Sequence, residues 1–294
     1  MPTPFNAAGS GQSAKLSIHD HDRDSAGLKY VYPVVSRRAG GVSIGVNLNT
    51  NNACNWRCVY CQVPDLARGA PPPVDLARLD AELRGFLREV LEGDFLLRKV
   101  PPEARRLNDI ALSGNGEPTS AKAFALVVDL VGEIRRDCKV PDEVKTVLIT
   151  NGSLMGREGV QAGIRKLATL NGEVWFKLDR ATDAGMRKVN NTRTGMGRVR
   201  DNLAISASLC PTWIQTCLFA IDGAGPGETE LQAYLDFLAE CREKDMPLAG
   251  VLLYGLARAS LQPEAPRLAP LAAGQMEAIA QRIRALGIAV NLTP

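Results

Sequence analysis

Three cysteines in the stretch NTNNACNWRCVYCQVP, residues 49–64, are the side chains in this sequence best suited to chemistry. Cys54, Cys58 and Cys61 fall within eight residues, while Cys138, Cys210, Cys217 and Cys241 are scattered singly. Soft thiolates at this spacing can face one soft metal centre, either zinc or an iron–sulfur cluster. Three crowded thiolates repel one another unless a cation or cluster compensates them. Asn49, Asn51, Asn52 and Asn55 interleave with them, which suits a tight loop wrapped around a small object. The plainer readings are structural zinc or buried thiols. Structural zinc closes with four protein ligands, commonly two separated pairs. Here there is no second pair, and the two histidines, His19 and His21, lie in a polar N-terminal segment. A three-ligand set leaves a metal position open, as a working site requires.

Further candidates follow a series of short apolar runs. After DIALS come Ser113-Gly114-Asn115-Gly116-Glu117-Pro118-Thr119, where two glycines allow close backbone approach and Glu117 offers a carboxylate to a cationic group. After TVLIT come Asn151-Gly152-Ser153, which read equally as a turn. Lys177 and Asp179 bracket Leu178 and so share a face, as a structural ion pair or as two ligand contacts. Gln215 and Cys217 share a face opposite Thr216; Cys217 is a weak catalytic candidate, since a lone cysteine in a strand is more commonly a small buried filler. The run GVLLYGL carries Tyr254 and Gly255, followed by Arg258, which suits either an anion clamp or a surface charge.

Alternating strands and helices must position these residues. Strands are expected at 42–48, 109–113, 146–150, 174–178, 213–221 and 250–256, and the first feeds directly into the cysteine loop. Helices are expected at 75–97 with Asp75 as N-cap, then at 121–138, 158–170, 184–189, 198–209, 229–244 and 275–286. On the second of these, Phe124, Leu126, Val127, Leu130, Val131 and Ile134 are placed on the apolar side. Residues 30–35 read as an edge strand because of Pro33, and 288–292 as a last strand. Six βα units predict a parallel sheet with helical crossovers, forming a full barrel, a partial barrel or an open doubly wound sheet. Ligands of such folds bind beyond the carboxyl ends of the strands, where the candidate residues stand.

The bulk properties set limits. The 294 residues are long enough to enclose a cofactor, and a net charge of +3 gives nucleic-acid binding no support. No run is long and apolar enough to span a membrane, and no secretory layout is present. An odd cysteine count with one cluster argues against a disulfide framework and for the reducing cytoplasm. Residues 1–18 are expected to form a disordered tail and 19–294 one domain. In that domain the segment around His19 and His21 reads as a solvated loop or lid edge, with a second metal site as the alternative.

The Cx3Cx2C spacing, with Tyr60 just before the last cysteine and SGNGEPT downstream, resembles the radical S-adenosylmethionine (radical SAM) superfamily. The resemblance covers about residues 42–257. It implies an α/β fold, a partial (β/α)6 TIM-type barrel with outer helices. It implies that Cys54, Cys58 and Cys61 hold three irons of a [4Fe–4S] cluster whose fourth iron chelates S-adenosylmethionine. It further implies that the reduced cluster cleaves this cofactor to a 5′-deoxyadenosyl radical, which abstracts hydrogen from a substrate, with a flavodoxin- or ferredoxin-type electron donor. Carried over position by position, Tyr60 borders the cluster, and Asn115, Gly116 and Glu117 match the motif that binds the methionyl amino group. Asn151 and Ser153 fall to the ribose, Lys177 and Asp179 to the carboxylate and ribose, and Tyr254 lies near the adenine. Asn115 replaces the motif's usual first glycine. The loop and SGNGEPT are most similar to the wyosine-base-synthase-like branch, but no cysteine precedes Cys54, and no flavodoxin-like domain or cysteine-rich extension accompanies them. A single-cluster member acting on a small-molecule or nucleotide- or tRNA-related substrate is the expectation. A glycyl-radical-type activating enzyme with a protein partner, and a non-catalytic zinc-stabilised binding module, are the alternatives.

Overall fold

The computed structural model describes residues 16, 27–36 and 40–294. The expected N-terminal tail and the segment with His19 and His21 lie outside the described residues, apart from Leu16.

In chain order the strands are β1 (Val31–Ser36), β2 (Gly41–Val46), β3 (Ala53–Cys54), β4 (Ala67–Arg68), β5 (Leu107–Leu112), β6 (Lys145–Thr150), β7 (Gly172–Lys177), β8 (Thr212–Ile221), β9 (Leu248–Gly255), β10 (Leu268–Pro270) and β11 (Val290–Thr293). The helices are α1 (Leu76–Leu91), α2 (Phe95–Lys99), α3 (Phe124–Asp137), α4 (Glu158–Ala168), α5 (Asp183–Asn190), α6 (Met196–Leu209), α7 (Glu228–Glu243) and α8 (Ala273–Ala285). The main sheet runs β1-β2-β5-β6-β7-β8-β9-β11. Every neighbouring pair from β2 onward is parallel, and β1 is antiparallel to β2 at the edge, where Pro33 costs no central ladder bond. The fold is α/β, with the mostly parallel sheet curled into a partial barrel.

The alternation of side chains sorts each strand between two environments. Ile110, Leu112, Leu148, Val174, Phe176, Ile214, Val251 and Leu253 join the main core with apolar helix residues such as Leu79, Leu83, Val127, Val131 and Ile164. Their neighbours Ala111, Val147, Trp175 and Leu252 form a separate cluster on the opposite, inner face. Asp75 caps α1 by accepting from the Arg78 amide, as expected. The helix stops at Leu91 rather than continuing to 97, because Glu92-Gly93 breaks it and α2 starts anew after Asp94. A 3-10 turn at Pro118–Ser120 delays α3 until Phe124. Leu126, placed above on the apolar side, is 58% exposed. It stands two residues from Phe124, roughly 200° around the helix. The short β10, which pairs antiparallel with the end of β8, has no counterpart among the expected elements.

Candidate functional site

The strand β2 delivers the chain into the cysteine loop at the carboxyl end of the sheet, and asparagines brace the loop there. The Asn47 Oδ1 accepts from the amides of Asn49 and Asn115, each at 3.0 Å. The Asn49 Nδ2 donates to the Ala53 carbonyl at 2.8 Å, and the Asn115 Nδ2 donates to Asn52 Oδ1 at 2.6 Å. Asn52 has φ of 55°, a left-handed conformation that asparagine tolerates. Asn55 donates to Ser153 Oγ at 2.8 Å and accepts from Asn151 Nδ2 at 2.7 Å. The loop is thereby tied to the ends of β5 and β6. Gly116 explains itself here: a Cβ on it would lie 2.1 Å from the Ala53 carbonyl oxygen, so only glycine allows the turn and the loop to touch.

Cys54, Cys58 and Cys61 line one cavity of about 1000 Å³ together with Tyr60, Asn115, Gly116, Glu117, Asn151, Lys177, Cys217 and Tyr254. Two sulfurs already receive hydrogen bonds, from the Trp56 amide to Cys54 Sγ at 3.5 Å and from Asn190 Nδ2 to Cys58 Sγ at 3.2 Å. Burial pushes the Cys54 thiol up to about 12. It pushes Cys58 to about 11, against the pull of the Lys177 ammonium. Among the described residues, no three His, Cys, Asp or Glu side chains converge as they would around a single ion.

Glu117 is 2% exposed, and its carboxyl group joins two strand ends. Its Oε1 accepts from the Thr119 amide at 3.1 Å, from Thr119 Oγ1 at 2.6 Å and from Thr150 Oγ1 at 2.6 Å. Its Oε2 accepts from the Asn151 amide at 2.6 Å, which leaves acceptor capacity on that oxygen, and Glu117 lines the cavity. Burial raises its pKa, and these hydrogen bonds pull it back. Lys177 also lines the cavity, its Nζ 3.3 Å from the Tyr254 hydroxyl and 4.8 Å from the centre of the Tyr60 ring. Burial opposes its charge, the nearby Asp179 carboxylate favours it, and on balance its pKa is raised above the ordinary lysine value. Lys177 and Asp179 form no direct ion pair. Asp179 instead accepts from Tyr60 Oη, Asn190 Nδ2 and the Cys217 amide. It and Ser153 sit behind the cavity wall and support residues that line it. Cys217 is fully buried, and burial raises its thiol far above the ordinary range.

A strap of residues after β9 holds the cysteine loop from outside. Ser260 Oγ donates to the Val59 carbonyl at 2.7 Å, Gln262 Nε2 donates to the Val63 carbonyl at 3.1 Å, and the Leu261 amide donates to the Cys61 carbonyl at 2.9 Å. Glu264 closes the strap with a bidentate pair to Arg57, at 2.6 and 2.7 Å. Arg258 lines the cavity mouth. Sequence reasoning missed this strap, together with Asn190, Asn47 and Thr150. None carries a local motif; only the density of Asn, Ser and Gln near expected strand ends hinted at them.

No protein-family profile matches the chain. Among curated proteins, it is similar to a UPF0026 protein of Synechocystis sp., with 26% identity over 168 residues, 56% of this chain and 54% of that protein. A UPF0026 protein of Methanocaldococcus jannaschii is 28% identical over 163 residues, 54% of this chain and 42% of that one. The GTPase Obg of Brachyspira hyodysenteriae is 26% identical over 132 residues, 45% of this chain but 17% of that one. The chain therefore spans about half or less of the length of these relatives. It contains no Gly-Lys dipeptide, and hence no phosphate loop of the GxxxxGK[ST] kind. Among solved structures, a domain of pyruvate-formate lyase-activating enzyme from Bacteroides vulgatus matches with TM-score 0.41 and 12% identity, covering 63% of this chain and 98% of that one. The cobalamin-dependent S-adenosylmethionine radical enzyme OxsB, with aqua-cobalamin and S-adenosylmethionine bound, matches with TM-score 0.44 and 13% identity, covering 66% of this chain and 26% of that one. All these scores are too low to carry an activity over to this chain.

Proposed function

We propose that the protein is a radical SAM enzyme whose Cys54, Cys58 and Cys61 hold a [4Fe–4S] cluster, with S-adenosylmethionine in the adjoining cavity. One observation carries this reading. Three cysteines, two of them with hydrogen-bonded sulfurs, share a single cavity with the Gly116–Glu117 turn and the half-buried Lys177. When bound and reduced, the cluster supplies the electron that cleaves the sulfonium cofactor and starts hydrogen abstraction.

The chain's own residues bind and orient. Glu117 Oε2 offers its remaining lone pair to the methionyl ammonium, with the turn fixed by Thr119 and Thr150. Lys177 offers its ammonium to the carboxylate, and Asn151 borders the ribose. Tyr60, pinned by Asp179, and the strap at Ser260, Gln262 and Glu264 keep the loop closed against water. Reduction falls to a flavodoxin- or ferredoxin-type donor. The loop and SGNGEPT motifs favour a single-cluster member of the wyosine-base-synthase-like branch.

Anaerobic reconstitution with iron and sulfide tests the reading. Wild type and Cys138→Ala are expected to take up about four irons per chain and a broad visible absorption band, and Cys58→Ala to take up neither stably. Tight zinc without iron uptake overturns it.

A further inference from the structure

Gln215 lies in the middle of β8, is 1% exposed and lines the cavity, yet neither Oε1 nor Nε2 has a hydrogen-bond partner. Buried amides are almost always paired, and an orphaned donor and acceptor on one side chain bear the full cost of desolvation. The cross-strand neighbours do not relieve it. Lys177, opposite Gln215 on β7, is turned to Tyr254 and the Tyr60 ring, and Leu252, opposite on β9, is apolar. Two residues below Lys177, the flat indole of Trp175 also lines the cavity, as do Ala111 and Ile149.

We propose that Gln215 is the recognition residue of a substrate subsite on the floor of the partial barrel, taking a planar group with a cis-amide edge: a cyclic lactam or a primary carboxamide. Such an edge presents a donor beside an acceptor and satisfies both Gln215 atoms at once. A carboxylate would leave Oε1 orphaned, and an ammonium would leave Nε2 orphaned. A trans peptide bond directs its N–H and C=O to opposite sides and cannot make the pair, which disfavours a peptide backbone as the occupant. Trp175, Ala111 and Ile149 supply the apolar walls a flat ring needs, with Leu252 packed beside Trp175 and Ala111. The subsite deepens the proposed function, since it gives the same cavity a substrate class.

The test is calorimetric titration of the anaerobic, iron-loaded protein with 2-pyridone, a lactam, and with benzamide, a carboxamide. N-methyl-2-pyridone and N,N-dimethylbenzamide, which lack the donor, are the controls. Saturable binding of at least one probe is expected, weakened about tenfold or more by N-methylation and by Gln215→Met. Which probe binds distinguishes lactam from carboxamide. Gln215→Glu, which offers acceptors only, is the second variant, and it is expected to favour the N–H probes without restoring wild-type affinity. Absence of saturable binding, or binding indifferent to both N-methylation and Gln215→Met, overturns the proposal. Iron content and 5′-deoxyadenosine release by the wild type judge the radical SAM reading separately, so either can fail while the other stands.

Discussion

The Tyr60 hydroxyl donates to Asp179 Oδ2 at 2.6 Å, joining the cysteine loop to the residue just beyond the end of β7. Asp179 also accepts from Asn190 Nδ2 at 2.6 Å and from the Cys217 amide at 2.9 Å. Since Asn190 donates to Cys58 Sγ as well, one carboxyl group braces the loop, α5, β8 and, through Asn190, the Cys58 sulfur. Asp179→Asn replaces one acceptor oxygen with a donor and, in either orientation of the amide, faces it against the Cys217 amide or Asn190 Nδ2, which can only donate. It is expected to cost about 1–3 kcal/mol in urea unfolding. Its iron content after reconstitution should fall, and a variant as stable and iron-rich as wild type would refute this bracing role.

Gly116→Ala drives a methyl group to within 2.1 Å of the Ala53 carbonyl oxygen and 2.6 Å of Asn49 Nδ2. Neither neighbour can yield without moving the cysteine loop. A loss of about 1–3 kcal/mol in stability is expected, with a lowered Tm and poor cluster retention. Normal iron retention would show that the loop and the turn are not coupled as described.

The Glu82 carboxylate receives the Lys29 and Tyr30 amides at 3.1 and 2.8 Å and the Arg78 guanidinium, anchoring the segment before β1 to α1. Burial pushes its pKa up, but these donors prevail and hold it below the ordinary glutamate value. A carboxyl group with a depressed folded pKa stabilises above its unfolded pKa, and that contribution is lost as pH falls through the folded pKa. Wild type should therefore exceed Glu82→Gln in urea stability at pH 7, with the gap closing by about pH 3. An equal gap at both values would contradict the assignment.

Thiol burial predicts an order of alkylation. Cys210, Cys217 and Cys241 are buried, with thiols raised by that burial, Cys210 to about 12 and Cys241 to about 11. Cys61 and Cys138 are half-buried. Mass spectrometry after iodoacetamide treatment of native, iron-free protein should find Cys61 and Cys138 labelled first, and the three buried thiols only after unfolding. Early labelling of Cys217 would revive it as a reactive centre.

What could be read from the sequence was what is local. Six parallel strands announced themselves by short apolar runs, four of them ending in Ser-Gly-Asn, Asn-Gly or Asp, and the Cx3Cx2C loop by its spacing. Glu117 and Lys177 could be named because each follows or ends such a run. Long-range pairing left no such trace. Arg57 meets Glu264 across 207 residues, and Asn190 reaches Cys58 across 132, so no window of sequence contains both partners. Leu126 was misplaced because a leucine on α3 reads as core unless its angle around the helix is counted. Gln215 could be placed beside Cys217 by alternation, but its lack of a partner appears only once the barrel closes around it.

The most direct test of the central claim is the release of 5′-deoxyadenosine. Reconstituted protein is reduced with dithionite in the presence of S-adenosylmethionine, without added substrate, and the products are separated chromatographically. Wild type should release 5′-deoxyadenosine and methionine together, and Cys54→Ala, Cys58→Ala and Cys61→Ala should each release neither. Iron-loaded wild type that leaves S-adenosylmethionine intact, or cleavage that survives loss of these cysteines, would contradict the account.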